Sequence, residues 1–183
     1  MQIIKIKQSN FVERIRKNIS CANHETGYCL IESPAVSVYK EKYADTKTCE
    51  ALGYTIYEAA YNGGIIVINE GDIAMFHFGP IENNWMLSFA SYFVDWLEAK
   101  GLDAKFTGND ILVDGYKVCG LCVTRYGRVD YALVFIGINT KLEDIKQICT
   151  KPMVKVPKGL SEYGITTEEV EQMFLDFCAQ QDN

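Results

Sequence analysis

Asp114-Gly115 sits between two β-prone runs, Ile111-Leu112-Val113 and Tyr116-Lys117-Val118-Cys119. A type I′ turn needs positive φ at both central residues, so Asp-Gly in this setting is the strongest short-range signal for a β-hairpin. A two-residue loop then pairs Val113 with Tyr116, Leu112 with Lys117 and Asp110 with Cys119. Because side chains alternate faces, Asp110 and Lys117 fall on one face as diagonal neighbours. A carboxylate and an ammonium converging on a rigid sheet can be an ordinary cross-strand ion pair. They can equally be the polar end of a site for an anionic, metal-bearing substrate. Spacing alone leaves both open.

The remaining pattern predicts a strand at 2–7, a helix capped by Ser9 or Asn10, and strands at 29–32 and 35–39. Asp45 starts a short helix that ends at Ala51, with Gly53 placed for a left-handed C-cap. Three β-rich runs follow at 54–61, 65–68 and 73–78, punctuated by Asn62-Gly63-Gly64 and Glu70-Gly71. Either glycine cluster can be a plain hairpin turn. The longest helix spans about 84–100 and is apolar around most of its circumference, so it is buried on several sides. A strand at 129–138 leads to a short helix capped by Asn139 or Thr140. The last helix opens on a Thr166-x-x-Glu169 capping box and carries Val170, Met173, Phe174 and Phe177 at helical spacing. Strands outnumber helices and most connections are hairpin-short. The expected fold class is α+β: a mixed, largely antiparallel sheet with helices packed mainly on one side.

Bulk properties narrow the function. The chain has 183 residues, 48% hydrophobic and 23% charged, which suits one domain over 1–183. A net charge of -6 without an arginine-rich run leaves no electrostatic footprint for nucleic acid. No segment reads as a signal peptide or a membrane span, so a cytoplasmic protein with no membrane partner is expected. Seven cysteines cannot all enter disulfides. Cys119-x-x-Cys122 lies in a predicted strand, where positions three apart point to opposite faces, and no second such motif completes a zinc site. Buried free thiols are the better reading. His24 and His77 are too isolated in sequence to suggest a catalytic triad.

The order of these pieces resembles the lipoate–protein ligase family and, more distantly, the catalytic domain of biotin–protein ligases. Gly108-Asn109-Asp110 through Lys117 to Gly120 is similar to the family's Asn-Asp-Ile element, with its hairpin, essential lysine and closing glycine. Asn62-Gly63-Gly64 through Asn69-Glu70-Gly71-Asp72 is similar to its glycine-rich loop, strand and turn. Phe135-Ile136-Gly137-Ile138-Asn139 matches a strand ending of the biotin branch, and Lys158-Gly159-Leu160-Ser161 resembles the end of the lipoate-ligase domain. The likeness covers roughly residues 28–178.

That resemblance implies a two-step reaction in which ATP activates lipoate, octanoate or biotin as an acyl-adenylate. The acyl group then passes to a lysine of an acceptor carrier domain. It implies Lys117 as the catalytic cation on the acyl carbonyl and bridging phosphate oxygen. Asn109 and Asp110 would lie beside the nucleotide, Asp110 also ligating Mg²⁺. Asn62, Gly63, Gly64, Asn69, Gly71, Asp72 and Gly120 complete the implied nucleotide- and acyl-binding set. Cys149 stands near the position where related octanoyltransferases carry an acyl-accepting cysteine, though without their flanking pattern. The chain also departs from the family. Ala59 and Ala60 replace a pair of arginines, Ile65 a glycine, Asn69 a histidine and Gly108 an arginine, and Phe106 stands where biotin ligases carry a lysine. Lys105, Arg125 and Arg128 are the cations that could compensate. The same departures support an alternative: a ligase-fold module that binds a ligand or a partner protein without catalysis.

Overall fold

In the computed structural model, which describes residues 3–21, 24–38, 43–59, 64–80, 84–126 and 129–181, Asp114 and Gly115 both take positive φ, 51° and 83°. The hairpin forms as that dipeptide requires. The elements run β1 (Ile3–Lys5), α1 (Gln8–Cys21), β2 (Glu25–Leu30), β3 (Ala35–Val38), α2 (Thr46–Ala51), β4 (Thr55–Glu58), β5 (Ile65–Ile68) and β6 (Ile73–Pro80). They continue with α3 (Trp85–Glu98), β7 (Ala104–Thr107), β8 (Asp110–Val113), β9 (Tyr116–Tyr126), β10 (Val129–Ile136), α4 (Leu142–Ile148) and α5 (Thr167–Gln180). The large sheet has the order β1-β2-β6-β10-β9-β8-β7, and a three-stranded sheet has the order β4-β3-β5. Among the described strands, β1–β2 and β3–β4 pair in parallel and the others antiparallel, so the architecture is mixed and largely antiparallel, as the pattern predicts.

The register departs from the simple hairpin at one point. Leu112 faces Lys117, but Ile111 faces Cys119 and Asp110 faces Gly120 rather than Cys119. Val118 is the extra residue of a β-bulge, which lets two residues of one strand oppose one of the other. Val118 and Cys119 are both buried in the core, while Asp110 and Lys117 stay together on the opposite face. Cys122 packs against that opposite face, so the two thiols of the C-x-x-C are separated by the sheet.

Each face of the large sheet has its own core. Ile73, Met75, Val118, Leu121, Ala132 and Val134 are covered by α3 and α5 through Trp85, Phe89, Phe93, Phe174 and Phe177. The other face carries Ala74, Phe76, Phe78, Tyr131 and Leu133 under Phe11 and Ile15 of α1. Two of the three 14-residue helices therefore share one side, and α1 takes the other beside the small sheet. The expected Asp45 cap and Thr166–Glu169 capping box both form. Two expected caps do not. The α1 helix starts at Gln8, ahead of Ser9 and Asn10, and the Gln8 side chain accepts from the amides of Glu32 and Ser33. The N-cap of α4 is Lys141, because Asn139 is committed to Asp72 and Glu70. No helix among the described residues is long and apolar enough to cross a membrane.

His77 lies inside the α3 side of the sheet, stacked on Trp85 at 4.8 Å with its Nδ1 2.7 Å from the Thr26 hydroxyl. Burial pushes its imidazole down to about 4, with His24 adding to the shift and Asp130 opposing it. The native state thus prefers neutral His77. The stability this confers is complete above the ordinary value near 6.5 and is lost as pH falls toward the folded value. Thermal melts should show wild-type Tm falling between pH 6.5 and about 4, with His77→Gln flatter across that window. Parallel pH profiles for the two proteins would contradict this.

Candidate active site

Between β5 and the α1-side face of β9 and β10 lies a cleft of about 520 Å³. Its ends are closed by α4 and by residues 153–157. That volume is in the range of small-ligand sites, which pair a mainly apolar lining with a few placed polar groups. Ile65–Ile68, Cys122 and Phe135 supply the apolar walls, and Asn109, Asp110, Lys117 and Lys155 gather at one place on the rim.

The geometry at that polar end is an ion triad. Lys117 Nζ lies 2.7 Å from Asp110 Oδ1, and Lys155 Nζ lies 2.7 Å from Asp110 Oδ2. Lys155 also donates to the Thr107 carbonyl at 3.1 Å. Burial pushes the Asp110 carboxyl up, but the two ammoniums outweigh it and hold the group below the usual carboxylate range. Gly120 is what makes room: a Cβ there would lie 3.2 Å from Lys117 Nζ and 3.3 Å from its Cε. The backbone of Lys117 is pinned on both sides by the 155–158 segment. Its amide donates to the Val156 carbonyl at 2.9 Å, and its carbonyl accepts from the Lys158 amide at 3.0 Å.

Six of the residues singled out from sequence meet at the cleft: Gly64, Asp72, Asn109, Asp110, Lys117 and Gly120. Asn62 and Gly63 lie outside the described residues. Asn69 and Gly71 are not in the lining and serve the frame. Asn69 is buried and accepts from the Tyr54 hydroxyl at 2.6 Å. Gly71 turns the chain with φ 86° in a space where a Cβ would sit 2.4 Å from Asn139 Nδ2. Asp72 reaches the lining, but its oxygens accept from the amides of Asn69, Ile138 and Asn139 at 2.7, 2.7 and 2.9 Å. It ties the β5–β6 turn to the end of β10. Lys155 and Thr140 are lining residues that the sequence reading missed. The Lys151-Pro-Met-Val-Lys155-Val-Pro-Lys158 run alternates like a strand, but its prolines mask that signal. Cys149 also faces the cleft, and burial raises its thiol, so no thiolate is favoured there.

The sequence model for the lipoyl protein ligase A/B catalytic domain matches residues 13–177. The chain belongs to this family. No curated protein sequence matches the chain. Solved structures do match its fold. The bi-partite lipoate protein ligase of Thermoplasma acidophilum, solved in a study of that ligase and its E2 lipoyl domain, is 12% identical with a TM-score of 0.80, covering 98% of this chain and 82% of that one. A lipoate-protein ligase A bound with ATP is 12% identical with a TM-score of 0.78, covering 98% and 83%. The biotin protein ligase of Aquifex aeolicus is 12% identical with a TM-score of 0.57, covering 99% and 68%. At such identities the likeness establishes the shared fold.

The lipoyl ligase-family chain distributes its cations differently from the pattern it resembles. Gly108 opens the two-residue β7–β8 turn with φ 66°, a conformation that disfavours an arginine side chain. Arg125 is paired with Asp130 at 3.0 Å. Lys105 lies outside the cleft lining, and Arg128 lies outside the described residues. Among described residues, Lys117 and Lys155 are the cations of the lining. Removing their shared counter-ion with Asp110→Asn should cost about 1 kcal/mol at pH 7, the scale of a partly solvated ion pair. Because the folded Asp110 carboxyl is depressed, that contribution is present above the unfolded value and lost as pH falls through the folded one. The gap between urea melts of wild type and Asp110→Asn should therefore begin to narrow as pH falls below about 4. A gap that narrows already well above about pH 4, or that never narrows on acidification, would contradict the triad's charge state.

Proposed function

We propose that this chain transfers an acyl group from a small carboxylic acid to a lysine of a carrier domain. The acid is lipoate or octanoate, with residues 1–183 acting as one catalytic-type domain. The observation that carries the reading is a single ammonium-bearing end on an otherwise apolar cleft of about 520 Å³. An aliphatic acyl chain fits along Ile65–Ile68 and Phe135, which leaves its carboxyl carbon at Lys117. The carboxylate of the acid attacks the α-phosphorus of ATP and pyrophosphate leaves; in the transfer that follows, negative charge develops on the acyl carbonyl oxygen and on the departing AMP phosphate. A preorganised ammonium beside both stabilises that charge most where water is partly excluded. The acceptor amine then attacks the carbonyl carbon and AMP leaves. Relatives of the same fold that bind ATP or work with a lipoyl domain support each half of this scheme.

A protein-held Mg²⁺ does not fit the residues present. Both Asp110 oxygens are engaged by ammoniums, and no cluster of three His, Cys, Asp or Glu side chains occurs among the described residues. A non-catalytic ligand-binding role is the second reading, favoured by Ala59, Ala60 and Gly108 at positions where the family carries arginine.

Transfer assays with a lipoyl or biotinyl carrier domain separate these readings. Wild type given ATP and octanoate or lipoate, or given preformed octanoyl-adenylate, should modify the carrier. Lys117→Ala should lower the rate at least about a hundredfold, the usual effect of deleting one oxyanion-stabilising group. Biotin should be a poor substrate, since its polar ring would find few partners on the apolar walls. Binding of the acids with no transfer from any donor would favour the second reading and sink the first.

A further inference from the structure

The strap over residues 151–158 aims one lysine into the cleft. Met153, Lys155 and Pro157 line the cavity, while Val154 is 98% and Val156 42% exposed. This alternation is fixed by the backbone bonds that flank Lys117, so the inward position of Lys155 is built rather than incidental. A solvated surface lysine extends toward water; the Lys155 side chain is only 29% exposed. Two ammoniums share one carboxylate here, which leaves surplus positive charge at the rim of an apolar slot. An ammonium has three donors. Lys155 spends two, on Thr107 and Asp110, and Lys117 spends one, on Asp110. The remaining donors match a pair of anionic oxygens.

We infer that Lys155 is a second substrate-binding cation, which grips with Lys117 the anionic head of the acyl substrate. Asp110 serves as the internal counter-ion that holds both ammoniums in position until those oxygens arrive. This rests on the acyl-cleft reading above and adds to it the group that supplies the second charge. The head can be the carboxylate of the free acid or the phosphate of an activated ester; a negatively charged oxygen pair is common to both.

Calorimetry on the full chain tests this with three probes: octanoate, a stable sulfamoyl analogue of octanoyl-adenylate, and uncharged octanamide. Lys155→Met keeps the stem and removes the charge, and Lys155→Arg restores it. Lys155→Met should weaken binding of the charged-head probe about tenfold or more, as expected for losing one charge-assisted contact. Octanamide affinity should be unchanged and Lys155→Arg should recover most of the loss. A loss confined to octanoate assigns the grip to the carboxylate, and one confined to the analogue assigns it to the activated head. Equal losses for octanamide would make the effect structural and overturn the proposal. Unchanged affinity for octanoate and analogue would overturn it too, yet leave the acyl cleft standing. Failure of wild type to bind any probe would overturn both.

Discussion

Two ammoniums compete for one carboxylate at the rim of the cleft, and the surrounding backbone is shaped to keep all three groups there. The β8–β9 bulge sends Val118 and Cys119 into the core while Lys117 stays on the face of Asp110. Gly120 leaves the space that the Lys117 head occupies. The 155–158 strap holds the Lys117 backbone on both sides and brings Lys155 to the second oxygen of Asp110. Remove any one of these and the charges lose their common direction. A carboxylate left alone near an apolar wall would draw a proton. Paired twice, it stays ionised and holds both lysine heads in place.

The rest of the fold supplies a rigid platform for that end. The α3 and α5 helices bury one face of the sheet with aromatics, Trp85 stacked on Phe89 and edge-on to Phe177. The opposite face can then be spared for the cleft. Asp72, held by three backbone amides, fastens the β5–β6 turn to the end of β10. The wall that faces β9 is thereby set at a fixed distance from it. Ligand positioning in such a site depends on frame residues as much as on those that touch the ligand.

Local chemistry made much of this legible in sequence. Asp114-Gly115 dictates its turn, Thr166 and Glu169 their capping box, and the apolar spacing of α5 its buried stripe. The shared face of Asp110 and Lys117 also follows from alternation, and it survives the bulge that the simple register omits. What sequence hid is long-range. The start of α1 and the cap of α4 are decided by tertiary partners, Gln8 with residues 32–33 and Asn139 with Asp72. Lys155 lies 45 positions from Asp110 in a proline-flanked run with little strand signal. Nothing local marks it as the second cation. Asn69 and Gly71 were attractive by motif position, but burial and turn geometry give them structural work instead.

A crystal structure of the chain grown with octanoate or lipoate examines the central claim most directly. The account requires the acyl chain to lie along Ile65–Ile68 and Phe135, with the carboxylate oxygens within hydrogen-bonding distance of Lys117 and Lys155. An acid bound with its head away from both lysines, or seated outside this cleft, would contradict it.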